Sequence, residues 1–99
     1  MDRKITDLEE TREKITEVDR LITDLFVRRM QLAEDVALYK AAKGMPVLDA
    51  AKEAKKLEQI AGQMPEEFRE YGISLYEKIF ELSRDYQQKL IAGSKDLND

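Results

Sequence analysis

Two cations stand on a helical seam that is otherwise apolar. At about 100° per residue, Ile22 and Val36 each fall within ~20° of Arg29, and so does Lys40. Long basic side chains can lay their stems along a core and carry their heads to water, or pair with carboxylates of a neighbouring helix. A buried cation without a partner costs several kcal/mol, so two on one seam require protein carboxylates or an anionic ligand as counter-charge. Arg12 precedes Arg29 by seventeen residues, roughly 25 Å along a helix axis, too far for one small ligand to bridge within a chain. Either Arg12 is a surface charge beside Glu9 and Glu10, or it reaches the site of a second subunit. A two-fold dimer of antiparallel long helices supplies that geometry twice.

Later in the chain, Ser83 and Gln87 lie four residues apart on the side marked by Tyr76 and Phe80. They are neutral hydrogen-bonding groups on a mostly apolar face, either satisfied core residues or donors to a ligand. Glu53 lies near the face of Leu57 and Ile60, in a first turn where the helix dipole favours a carboxylate. Lys52, Lys55 and Lys56 read as a solvated face, with Lys52 the exception that could join a site. Glu66, Glu67 and Glu70 compensate a helix dipole and do not form a metal site. The methionines and tyrosines read as packing residues. With no His and no Cys, the chain has no imidazole base, thiolate nucleophile or usual zinc ligand set. Neither a metal nor a cofactor is expected.

The elements that must position these residues follow from the breakers at Lys43-Gly44-Met45-Pro46 and Gly62-Gln63-Met64-Pro65. They predict three helices: one long, one short and one of medium length. Apolar residues at Leu8, Ile15, Val18, Ile22, Leu25, Leu32, Val36 and Tyr39 keep the helical period, which predicts a first helix over about 5–42. Asp49 is the expected N-cap of a second helix ending at Ala61 before Gly62. Pro65 suits the first position of a third helix, which carries Phe68, Leu75, Tyr76, Ile79, Phe80, Leu82, Tyr86, Leu90 and Ile91 and ends near Ala92-Gly93. Residues 1–93 make the expected domain, and Ser94 to Asp99 an expected disordered tail.

The first helix would be roughly 55 Å long, more than a compact 99-residue globule contains, so a partner chain is expected over part of it. The net charge of −4 argues against a nucleic-acid partner. Apolar runs such as Leu21-Ile22 and Leu25-Phe26-Val27 are far short of the ~20 residues that span a bilayer. Met1-Asp2-Arg3-Lys4 precedes no apolar leader, so a cytoplasmic setting is expected.

Taken together, Thr11-Arg12-Glu13-Lys14-Ile15-Thr16-Glu17-Val18-Asp19, Val27-Arg28-Arg29-Met30, Tyr39-Lys40, Pro46-Val47-Leu48-Asp49, Lys52-Glu53 and Gln87 resemble the all-helical chorismate mutases, over roughly residues 5–91. The resemblance implies an intertwined homodimeric helical bundle with two active sites, each built from both chains. It implies the Claisen rearrangement of chorismate to prephenate, on the route to phenylalanine and tyrosine. That reaction needs no nucleophile, proton transfer or metal. By resemblance, Arg29 of one chain and Arg12 of the other clamp carboxylates, and Lys40 and Gln87 donate to the ether oxygen. Glu53 accepts from the substrate hydroxyl near the Asp49 backbone, Ser83 helps hold a carboxylate, and Val36 and Phe80 form apolar walls.

Two positions depart from the family pattern. Lys52 stands where relatives commonly carry Arg, which replaces a planar fork by a point charge. Arg84 stands where some relatives have a small apolar residue, and it either reshapes substrate affinity or points to solvent. Two other readings remain at this level. One is an isochorismate pyruvate lyase on the same fold, against which the mutase-like Pro46-Val47-Leu48-Asp49 loop argues. The other is a non-catalytic helical module that dimerises through its long helix.

Overall fold

A computed structural model describes the backbone of residues 7–97 and the side chains of residues 7–93. Among the described residues there are three α-helices, one short 3-10 turn and no strand. The helices are α1 (Leu8–Lys43), α2 (Ala50–Gln63) and α3 (Arg69–Leu97), with the 3-10 turn at Glu66–Phe68 before α3. None of them is long and apolar enough to cross a membrane. The expected helix start near residue 5 and the segment Met1-Asp2-Arg3-Lys4 lie outside the described residues.

The chain divides into two compact units, Met1–Gln31 and Leu32–Asp99. In the first, Asp7 caps α1: its Oδ1 accepts from the Glu9 amide at 2.9 Å and its carbonyl from the Thr11 amide at 3.0 Å. The helix is decorated by surface ion pairs, Arg12 Nη1 to Glu9 Oε1 at 3.4 Å and Lys14 Nζ to Glu10 Oε1 at 3.7 Å. Exposed pairs of this kind contribute ~0–1 kcal/mol. Thr16 and Thr23 turn their hydroxyls back onto the carbonyls of Arg12 and Asp19. The apolar stripe, over part of which a partner chain is expected, is open in the single chain, with Ile22 59% and Leu25 62% exposed. Periodicity alone identifies a face that prefers burial; one chain does not provide the cover.

In the second unit, α1 ends at Gly44, whose φ of 65° is the left-handed conformation that costs glycine nothing. The Met45 amide reaches back to the Lys40 carbonyl at 2.8 Å and the Gly44 amide to Ala41 at 3.3 Å, the paired bonds of a Schellman stop. Asp49 caps α2 as expected, Oδ1 accepting from the Lys52 amide at 3.1 Å. Asp49→Ala is therefore expected to lower stability by ~1 kcal/mol. Urea unfolding followed by helical circular dichroism checks this, and an unchanged midpoint would show that water replaces the cap at no cost.

Gly62 does not end α2, which runs on to Gln63. The stop comes at Met64, which is extended and whose amide bonds Ala61 at 3.2 Å. Arg69, the first residue of α3, donates Nε to the carbonyls of Ala61 at 2.9 Å and Met64 at 3.0 Å, so the end of α2 is capped from the next helix. Pro65 precedes the 3-10 turn and does not open the α-helix itself. Gly72 is buried under the Met64 side chain, and a Cβ there would overlap the Met64 sulfur. The backbone of α3 continues to Leu97, four residues past the expected end at Gly93, so most of the expected tail is helical. Residues 98 and 99 of that tail lie outside the described residues.

The core of this unit is small. Ala33, Ala37 and Phe80 are its buried apolar members, joined by the polar Ser83 and Gln87. Tyr76 packs edge-on against Phe80, with centroids 6.1 Å apart and rings at 67°. Tyr86 on α3 donates its hydroxyl to Glu34 on α1 and so pins the two helices together within the unit. That bond, then burial, then the carboxylate's charge raise the Tyr86 pKa above its ordinary 10.0. A raised folded value means the contribution is complete below pH 10.0 and is lost as pH climbs through the higher folded pKa. Above pH 10 the wild-type chain should lose stability more steeply than Tyr86→Phe in parallel denaturation series. Parallel curves would refute it.

Candidate active site

Six of the eight candidate side chains belong to the second unit: Lys40, Asp49, Lys52, Glu53, Ser83 and Gln87. Lys40 lies in the last turn of α1 and is half-buried, its Nζ donating to the Val47 carbonyl at 2.7 Å. The contact folds the connecting loop back over the helix end, two residues before Asp49. The expected counter-charge for Lys40 was a carboxylate or an anionic ligand. A carbonyl dipole orients the ammonium but leaves its positive charge in place, with further N–H donors to give.

Asp49 then sets the start of α2, which fixes the next two candidates in its first turn. Lys52 uses its backbone amide for the cap, while its side chain is exposed. Glu53 is turned toward α3, where its Oε1 accepts from Arg84 Nη1. Both partners are only 27% exposed. Arg84 therefore points inward, to Glu53. Helical periodicity in either segment could not have shown this contact, because it joins residues 31 apart through the relative rotation of two helices.

Ser83 immediately precedes Arg84, and Gln87 follows one turn later. Gln87 Nε2 donates to Ser83 Oγ at 3.0 Å, and both residues are 7% exposed. Gln87 Oε1 is buried without a hydrogen-bond partner. An unsatisfied buried group of this kind costs ~1–3 kcal/mol, so its place in a native core calls for an explanation. Of the two expected walls, Phe80 is buried beside this pair, and Val36 is 44% exposed.

Four separate contacts involve these residues: Lys40 with the Val47 carbonyl, Asp49 with the Lys52 amide, Glu53 with Arg84, and Ser83 with Gln87. Arg12 and Arg29 belong to the first unit. Arg12 is exposed and pairs with Glu9, and Arg29 is half-buried.

The second unit thus carries a cation, a carboxylate and a buried neutral amide, group types that the recognition of a small polar anion uses. Residues 11–88 match the family of chorismate mutase type II, a span that opens one residue before Arg12, closes one after Gln87, and contains all eight candidates. The chain belongs to the chorismate mutase type II family, whose activity is an isomerisation of chorismate. No curated protein and no solved structure matches the chain significantly.

Proposed function

We propose that the chain rearranges chorismate to prephenate as an intertwined homodimer, with each of two sites drawn from both protomers. The observation that carries this reading is the buried Gln87 amide with an unpartnered oxygen. Turning the amide by 180° lets Ser83 donate to Oε1 and aims Nε2, with its two N–H groups, where Oε1 now stands. A buried neutral donor suits an ether oxygen that gains negative charge as its bond to carbon breaks.

In this reading the site acts by positioning and by electrostatics. Arg29 of one chain and Arg12 of the other hold the carboxylates of the dianion, which keeps it in the compact diaxial shape that reacts. Lys40 and Gln87 converge on the ether oxygen as charge builds there. Glu53 accepts the ring hydroxyl near the Asp49 backbone, Ser83 supports a carboxylate, and Lys52 adds positive charge near it. The substrate supplies both ends of the new bond, so the protein contributes no nucleophile.

The exposed stripe of Ile15, Val18, Ile22 and Leu25, each more than half exposed, supports the dimer. Burying such a face yields roughly 25 cal/mol per Å² of apolar surface. In proteins most of a helix's stability comes from packing its apolar face against a neighbour.

The direct test follows chorismate absorbance with purified protein at neutral pH, assaying prephenate and pyruvate in the same sample. Prephenate without pyruvate is expected. Pyruvate release would instead indicate a lyase, and untouched chorismate would refute the activity.

Shared sites are tested by mixing. Arg12→Ala and Arg29→Ala are each expected to be nearly inactive. Unfolded together and refolded at equal ratio, about half the dimers are mixed, and each of those carries one intact site of two. Activity should return to about a quarter of wild type. No recovery would mean that both arginines serve a site within one chain.

A further inference from the structure

We propose that Arg84 is a positioning residue for the reaction, acting through Glu53 and not on the substrate. The proposal rests on the reading of Glu53 as acceptor of the substrate hydroxyl. Lys78–Glu81 and Lys89–Asp85 join neighbouring turns of one helix at the surface. Arg84–Glu53 differs, because it crosses from α3 to α2 and is largely shielded from water. Glu53 is a long side chain in the first turn of a short helix, where nothing in its own sequence neighbourhood selects one rotamer.

Arg84 selects one. Its Nη1 takes Oε1 of the carboxylate, which leaves Oε2 to accept a further hydrogen bond. The ion pair also fastens the carboxylate to the stretch of α3 that carries Ser83 and Gln87. The acceptor for the hydroxyl and the donor for the ether oxygen thereby share one rigid frame, as the pre-organisation of a reactive conformer requires.

A double-mutant cycle tests this on the full chain, with kcat/KM for chorismate as the readout and helical circular dichroism as the control for folding. Arg84→Ala should lower kcat/KM about tenfold, and Glu53→Ala at least as much. The double variant should be no worse than Glu53→Ala, because Arg84 has nothing left to hold. Arg84→Lys should recover part of the loss, whereas Arg84→Met, uncharged and of similar length, should not.

Three results would overturn the proposal. They are unchanged turnover in Arg84→Ala, losses that multiply in the double variant, and recovery by Arg84→Met, which would assign the effect to packing. Should Arg84→Ala fail to fold, Arg84→Met takes its place in the cycle. A wild-type chain that leaves chorismate untouched would refute the underlying activity before any variant is compared.

Discussion

Lys40→Met should lower kcat for chorismate by about 10²–10³-fold while the helices remain formed. The ammonium is held half-buried by the Val47 carbonyl, and its charge is not cancelled there. A donor fixed in place before the reaction needs no reorganisation as the ether bond breaks, and interactions that strengthen only in the transition state appear in kcat. Methionine matches the stem in length and keeps its packing, so the loss reports the charge and its donors. The bond to Val47 also disappears, at a cost of about 1 kcal/mol to the fold. Rapid-quench or steady-state kinetics over a range of chorismate concentrations separates kcat from KM. A variant whose KM rises while kcat stays put would move Lys40 from the breaking bond to the substrate's periphery.

Gln87→Glu should turn a flat pH profile into an acidic one. The wild-type amide donates at any pH, because it never has to gain a proton. A glutamate there is acceptor-only when ionised, and it adds a negative charge toward a dianion. At pH 7 the variant should be slower than wild type by about 100-fold or more. Its activity should rise nearly tenfold per pH unit on acidification and level off below its carboxyl pKa. Gln87 is only 7% exposed, so burial raises that pKa above the ordinary ~4.3, and recovery should begin on the neutral side of it. The same shift makes the variant less stable as pH rises, since the buried carboxyl favours its protonated form. Rate profiles from pH 4 to 8 decide the matter: equal profiles for the two proteins would remove Gln87 from the reacting atoms.

Much of the scaffold was legible in local chemistry. Asp49 announced the start of α2 because its side chain satisfies an amide three residues on, a contact within a single turn. Gly44 announced the end of α1 because a left-handed residue was needed there. Gly62 misled, since a glycine is tolerated inside a helix and the stop is imposed from outside by Arg69 on the Ala61 and Met64 carbonyls. Gly93 misled for the same kind of reason: α3 continues through it.

The candidate side chains were likewise legible as types on faces, because Lys40, Ser83 and Gln87 interrupt apolar periodicity. Their partners were not. Val47 for Lys40 depends on how a six-residue loop closes, and Arg84 for Glu53 depends on the rotation of α3 against α2. Tyr86, read as packing, donates to Glu34 across 52 residues for the same reason.

By itself, then, the sequence determined three helices, the Asp49 cap and the Gly44 stop, the chemistry available without His or Cys, and the face on which each polar residue lies. These depend on bonds spanning one or two turns and on a fixed helical period. Tertiary structure decided which polar residues meet: that Glu53 is held by Arg84, that Lys40 donates to the Val47 carbonyl, and that one end of the Gln87 amide is buried without a partner. Those outcomes depend on the rotation and depth of one helix against another, which many distant side chains set together and no local spacing encodes.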